Sequence, residues 1–158
     1  MRFLILILFF ISFLSAQEFE GDDFLIVEGE SSQYYYVLKK EGYYVSDKPE
    51  KLNLYKRSIP ESLNVSLSAL TSVTHNSKIY LLYPGGGLLY SFNNGAIERI
   101  DRSFPHRNQY GGYFFSNKNN LYLIGGYGFW QTKSIITKFN FNNGDWEIIN
   151  TTGQLPKG

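Results

Sequence analysis

The sequence predicts an all-β protein assembled from repeated four-stranded antiparallel units. Apolar runs such as Ile79-Tyr80-Leu81-Leu82 and Leu121-Tyr122-Leu123-Ile124 carry no charged residue and stop abruptly before glycines. Such short runs suit strands buried on both faces better than helices. Downstream of each of these two runs, Asn-Gly stands between apolar stretches, the strongest short-range hairpin signal. The same order of features then recurs, and self-similarity at a period of roughly 40–50 residues marks a repeat architecture. Composition agrees: 18% of residues are aromatic, with 13 Tyr and 13 Phe among 158, and these side chains favour sheets.

The amino terminus reads differently from the rest. Arg2 supplies a positive charge, Phe3 to Leu14 an apolar core, and Ser15-Ala16 small residues ahead of Gln17, the pattern of a secretory leader. The expected division is a leader over 1–16, cleaved after Ala16, and a mature chain over 17–158. The apolar run falls short of the roughly 18–20 residues a spanning helix needs, so the expectation is a secreted or periplasmic protein without a stable membrane span. With no Cys in the chain, disulfides and thiolate metal sites are excluded.

Three units follow. The first, about 22–58, takes Phe24 to Val27 as its first strand, Tyr34 to Leu38 as its second and Leu52 to Tyr55 as its fourth, with turns at Lys40-Glu41-Gly42 and Ser46-Asp47-Lys48-Pro49. Its tyrosine triplet, Tyr34 to Tyr36, reads as core packing rather than a ligand platform. Asp22, Asp23, Glu28 and Glu30 read as a solvated, charge-protected sheet edge. The second unit, about 66–103, runs from Lys78 through Tyr83 into Gly85-Gly86 and turns again at Asn93-Asn94-Gly95. The third, about 108–151, repeats this order, with Asn120 to Ile124 running into Gly125-Gly126, a longer loop from Tyr127 to Ser134, and a hairpin turning at Asn142-Asn143-Gly144 before Trp146. Polar segments from Ser58 to Asn64 and from Arg102 to Asn108 connect the units.

This order resembles the kelch repeat: a strand, a second apolar strand ending in Gly-Gly, then a hairpin whose last strand carries Trp. Gly85, Gly86, Gly125, Gly126 and Trp146 stand in those places, while Ile97 replaces the Trp in the second unit and the first unit lacks the glycine pair. The resemblance implies a kelch-like β-propeller, of which about three blades are present. Leu155-Pro156 echoes Phe104-Pro105, as though another blade should begin, so the expectation is an incomplete propeller. Its open blade faces would invite self-association.

In an antiparallel blade, the loop between strands two and three lies at the same end as the connection entering strand one. That end should gather Tyr127, Phe129, Trp130 and Gln131 with His106 and Arg107 from the connection, and Tyr83 from the second unit. Rings beside an Arg and a Gln suit a sugar or a peptide, although Phe129 and Trp130 would equally serve to seal a neighbouring blade. The expected function is that of a protein- or carbohydrate-binding scaffold.

Two rival readings follow from the same resemblance. One is a carbohydrate-active kelch enzyme of oxidase or epimerase type. The other is the extracytoplasmic sensor portion of a membrane signalling protein. Galactose oxidase joins a tyrosine to a cysteine beside copper, and a chain without Cys cannot build that group. His75, expected at the surface, and His106 have no partner ligand at recognisable spacing, so no metal or other cofactor is expected. No Gly-x-Ser-x-Gly motif occurs, and Gly85-Gly86-Gly87 lacks the Gly-Lys-Ser/Thr of a phosphate loop. A net charge of +1 gives no nucleic-acid footprint.

Overall fold

The computed structural model describes residues 23–29, 34–48, 51–55, 63, 65–84, 87–93, 95–102 and 109–153. Residues 1–22, on which the expected leader falls, and Gly85, Gly86, His106 and Arg107 lie outside these. The described chain is all-β, and it forms three four-stranded antiparallel sheets. β1 (Phe24–Glu28), β2 (Tyr35–Lys39), β3 (Gly42–Lys48) and β4 (Lys51–Tyr55) make the first. β5 (Thr71–His75), β6 (Lys78–Tyr83), β7 (Leu88–Asn93) and β8 (Ala96–Arg99) make the second. The third contains β9 (Tyr113–Asn117), β10 (Asn120–Ile124), β13 (Ile136–Asn140) and β14 (Asp145–Ile149), with a small hairpin of β11 (Tyr127–Gly128) and β12 (Gln131–Thr132) inserted between β10 and β13. No described helix is long and apolar enough to cross a membrane.

The sheets stack in sequence because strand side chains alternate between faces. From β6, Ile79 and Leu81 enter a core shared with Val27, Leu38 and Tyr43 of the first sheet. Tyr80 and Leu82 enter a second core with Phe114, Leu121, Leu123, Phe139 and Trp146 of the third. The middle sheet is therefore covered on both faces. The backbones of successive sheets approach chiefly through their first strands, β1 against β5 and β5 against β9. Thr74 ties the first pair by donating to the Glu28 carbonyl at 2.9 Å. Burial raises the phenol pKa values of Tyr80 and Tyr90, and for Tyr90 the nearby Arg99 opposes part of that rise.

Two polar groups fasten the middle sheet. Asp101 is buried, accepts the Leu89 N–H at 2.8 Å and receives a two-pronged bond from Arg99 at 3.0 and 2.9 Å. That hydrogen bond raises the Arg99 pKa. From the third sheet, Trp146 stacks edge-on to Phe139 and donates its indole N–H to the Gly87 carbonyl at 3.0 Å, closing the turn between β6 and β7.

Several expectations change at this level. His75 is buried, not at the surface: it is 6% exposed, and its Nε2 meets no hydrogen-bond partner among the described residues. It ends β5, where the tight turn at Asn76-Ser77 folds the chain back, and its ring lies 6.3 Å from Tyr80. Ser46 to Lys48 do not form a reversal. They extend β3 through a register shift between Val45 and Lys48. The two Asn-Asn-Gly sequences are not equivalent turns, because Asn93 pairs with Ala96 across a two-residue connection whereas Asn140 pairs with Asp145 across four. Phe92 therefore corresponds to Phe139, not to Phe141, and Ile97 to Trp146. In the tyrosine triplet, Tyr36 packs edge-on to Phe92 at 5.0 Å while Tyr35 is exposed.

Asp23 is more than a solvated edge charge. It accepts hydrogen bonds from the Ser66 hydroxyl at 2.5 Å and from the backbone N–H groups of Leu67 and Ser68 at 3.0 and 2.9 Å, pinning the short 3-10 turn at Leu67–Ala69 beside β1. Desolvation pushes its carboxyl up, but these bonds, with a further one from the Ser68 hydroxyl, together outweigh it and bring the pKa from 3.8 to about 2. A depressed carboxyl pKa stabilises the fold above its unfolded value and loses that contribution as pH falls. The urea midpoint of the wild type should therefore exceed that of Asp23→Ala at neutral pH, and the gap should narrow as pH drops from 3.8 through about 2. A pH-independent gap would contradict this linkage. Trp146→Phe should cost about 1–3 kcal/mol in the same assay, because it leaves the Gly87 carbonyl buried without its donor.

Candidate functional site

The meander brings the β10-to-β13 connection to the end of the third sheet where the chain enters β9, as the topology requires. Gln109, fully buried, organises that end. Its amide N–H group donates to the carbonyls of Leu123 at 3.1 Å, Gly125 at 3.0 Å and Ile135 at 3.3 Å, while its carbonyl accepts from the buried Thr137 hydroxyl at 2.7 Å. One side chain thus bonds the backbone carbonyls gathered where β10 ends and β13 has yet to begin, that of Ile135 also accepting the Gly125 N–H at 2.9 Å. The glycine pair makes room for it. Gly125 and Gly126 both take positive φ, 69° and 93°, and a Cβ on Gly126 would fall 2.6 to 2.7 Å from the Gln109 backbone. Both reasons for glycine, handedness and close approach, operate here.

Beyond the pair, Tyr127 and Tyr110 exchange backbone hydrogen bonds at 2.9 and 2.8 Å, and the β11–β12 hairpin projects from this anchor. Its two-residue turn is Phe129-Trp130, with φ of 50° and 63°. Tight hairpin turns with positive φ at both central positions favour Asn-Gly, and non-glycine residues held in sparsely populated backbone regions cost about 1–3 kcal/mol each. Phe129 is nevertheless 73% exposed and Trp130 91% exposed. Neither ring is seated in a described core. The Lys133 ammonium lies 5.7 Å from the centre of the Phe129 ring, within cation–π range. Tyr110, Tyr113 and Tyr127 add further exposed rings.

Of the residues expected at this end, Tyr127, Phe129, Trp130 and Gln131 come together on the hairpin. Tyr83 does not join them, because its side chain packs against the core between the first and second sheets. His106 and Arg107 lie outside the described residues. Among the described residues no group of three or more metal-ligating side chains forms. Sequence reasoning missed Gln109, since a single amide ahead of Tyr110 has no distinguishing pattern. It also missed a cavity of about 320 Å³ at the opposite end of the third sheet, lined by Asn120, Lys138, Asn140, Phe141 and Glu147 among others. There the Glu147 carboxylate already accepts from Asn140 at 2.7 Å.

No protein-family model matches this sequence, and no curated protein compared with it does.

The two glycines separate experimentally. Gly125→Ala meets no atom closer than 3.8 Å, so it should cost only the backbone term of about 1–2 kcal/mol. Gly126→Ala adds a clash with the backbone of Gln109 and should cost distinctly more. Equal losses in urea titrations of the two variants would rule out the Gln109 approach as the reason for the second glycine.

Proposed function

We propose that this chain is part of an exported kelch-like β-propeller that binds carbohydrate through the aromatic hairpin at one end of its third sheet. Several features support the blade reading. The three sheets are four-stranded meanders stacked in order, their first strands lie nearest one another as strands around an axis would, and Trp146 of the third unit bonds the Gly87 carbonyl of the second. The leader-like residues at 1–16 support export.

The observation that carries the binding reading is the Phe129-Trp130 turn. Large rings held exposed at unfavourable backbone angles weaken the fold at that point, and strain of this kind clusters at functional sites. Aromatic faces beside the Gln131 amide offer stacking and hydrogen bonding together, the combination a neutral sugar ring uses. The anchor beneath them is rigid, so the rings are presented with little ordering cost on binding.

The chain contains two tryptophans, one buried and one exposed, so ligand stacking should change the fluorescence of Trp130. Titration with a panel of neutral oligosaccharides should give a saturable shift, and Trp130→Ala should weaken binding by about tenfold or more, equivalent to about 1.4 kcal/mol. Replacing the turn with Asn-Gly, in Phe129→Asn with Trp130→Gly, should abolish binding while raising stability by about 1 kcal/mol or more. A panel without any saturable shift, or a Trp130→Ala variant that binds as the wild type does, would remove the proposal.

A further inference from the structure

The third unit departs from the second at the β13–β14 turn as well as at the hairpin. Where the second sheet turns from Asn93 to Ala96 across two residues, the third turns from Asn140 to Asp145 across four. The longer turn supplies Phe141 and Asn142 as walls of the cavity of about 320 Å³, which Asn120, Lys138, Asn140 and Glu147 also line. Phe141 is braced in place, its ring edge-on to Phe139 at 5.0 Å and tilted against Tyr80 at 5.7 Å. A cavity of this size holds a small molecule.

Lys138 and Glu147 stand directly opposite each other on β13 and β14, so their side chains share a face, where opposite charges attract. They nevertheless form no ion pair. Glu147 is held elsewhere: its Oε1 accepts from the amide groups of Asn140 at 2.7 Å and Asn143 at 3.4 Å. Its Oε2 and the Lys138 ammonium have no partner among the described residues. The cavity wall thus carries a free cation and a free carboxylate oxygen. The opening does not depend on a bare outer face. On the second sheet, the register counterparts of Asn120, Lys138, Asn140 and Glu147 are Lys78, Ser91, Asn93 and Glu98. The third sheet packs on that face through Tyr80 and Leu82, and still Lys78, Asn93 and Glu98 are exposed and Ser91 half-buried. A sheet packed in the same way on the third would leave the cavity open.

We propose that this cavity binds a small zwitterion, an α-amino acid, with its carboxylate on Lys138, its ammonium on Glu147 and an apolar side chain against Phe141. A Lys ammonium only donates and an ionised carboxylate only accepts, so the two together select a ligand that carries both charges. Hydrogen bonds between charged groups are about twice as strong as neutral ones, and the carboxylate that receives the ammonium is already oriented by Asn140. The Asn120 and Asn142 amides on the same wall add neutral donors and acceptors. The cavity lies at the opposite end of the sheet from the aromatic hairpin and uses none of its residues, so it stands or falls apart from the carbohydrate reading.

Calorimetric titration of the purified chain with leucine, phenylalanine and glycine, and with 4-methylpentanoate and isoamylamine as analogues bearing one charge each, tests this. Leucine and phenylalanine should bind saturably, glycine more weakly, and each single-charge analogue about tenfold or more weaker than leucine. Lys138→Gln and Glu147→Gln should each weaken leucine binding by about tenfold or more while leaving the urea midpoint unchanged, since neither side chain belongs to either core. Trp130→Ala should bind leucine as the wild type does. No saturable heat from leucine or phenylalanine would overturn the proposal. So would analogues that bind as tightly as leucine, which would mean that one charge suffices, a Gln variant at either position with wild-type affinity, or a loss of leucine binding in Trp130→Ala, which would put the ligand on the hairpin.

Discussion

Burial of both faces of β6 is the constraint on which the other features depend. Ile79 and Leu81 serve one core, Tyr80 and Leu82 the other. No position from 79 to 82 is free to be polar, and a slip of one residue in register would exchange the contents of the two cores. The surrounding sheets must then bring apolar faces of the right sign to each side. That requirement explains why Phe114, Leu121, Leu123 and Phe139 alternate with half-buried or exposed neighbours on the third sheet, as Val27 does on the first.

With the sheets packed so closely, backbone groups at the strand ends are shut away from water and must find partners inside the protein. Asp101 supplies one to the Leu89 N–H, Trp146 supplies one to the Gly87 carbonyl, and Gln109 supplies three at once. These side chains sit at the turns, so satisfying the backbone also sets the direction in which each loop leaves its sheet. The aromatic hairpin inherits its position from this arrangement. Its own turn is strained, but the anchor beneath it, from Gln109 through the Tyr110–Tyr127 bridge, is fully hydrogen-bonded.

Much of the fold was legible because period-two apolar runs and glycine-marked ends are local signals. The strands around Leu121 and Tyr80 and the hairpin before Trp146 all announce themselves this way. The legible part of the site was the cluster Tyr127 to Gln131, since chain order and antiparallel topology place a loop on an end without any knowledge of packing. What was not legible depended on neighbours distant in sequence. His75 stands beside a polar turn in the sequence yet is buried against Tyr80, Asp23 meets a turn more than forty residues away, and Tyr83 faces the core rather than the hairpin. The Asn-Asn-Gly repeats looked interchangeable, but loop length is set by where pairing stops, which leaves two residues in the connection of the second unit and four in that of the third.

By itself, the sequence determined strand periodicity, the turns and the repeat, because each follows from the backbone preferences and side-chain alternation of a few adjacent residues. Only the tertiary structure decided which face of each sheet is covered, why the second glycine of Gly125-Gly126 admits no side chain, and that Gln109 rather than any charged residue holds the loop end together. Those outcomes turn on distances between segments far apart in the chain. Phe129 and Trp130 belong to both levels: their identity was plain in the sequence, but their exposure at positive φ emerged only once the sheets had packed and the anchor beneath them had been made.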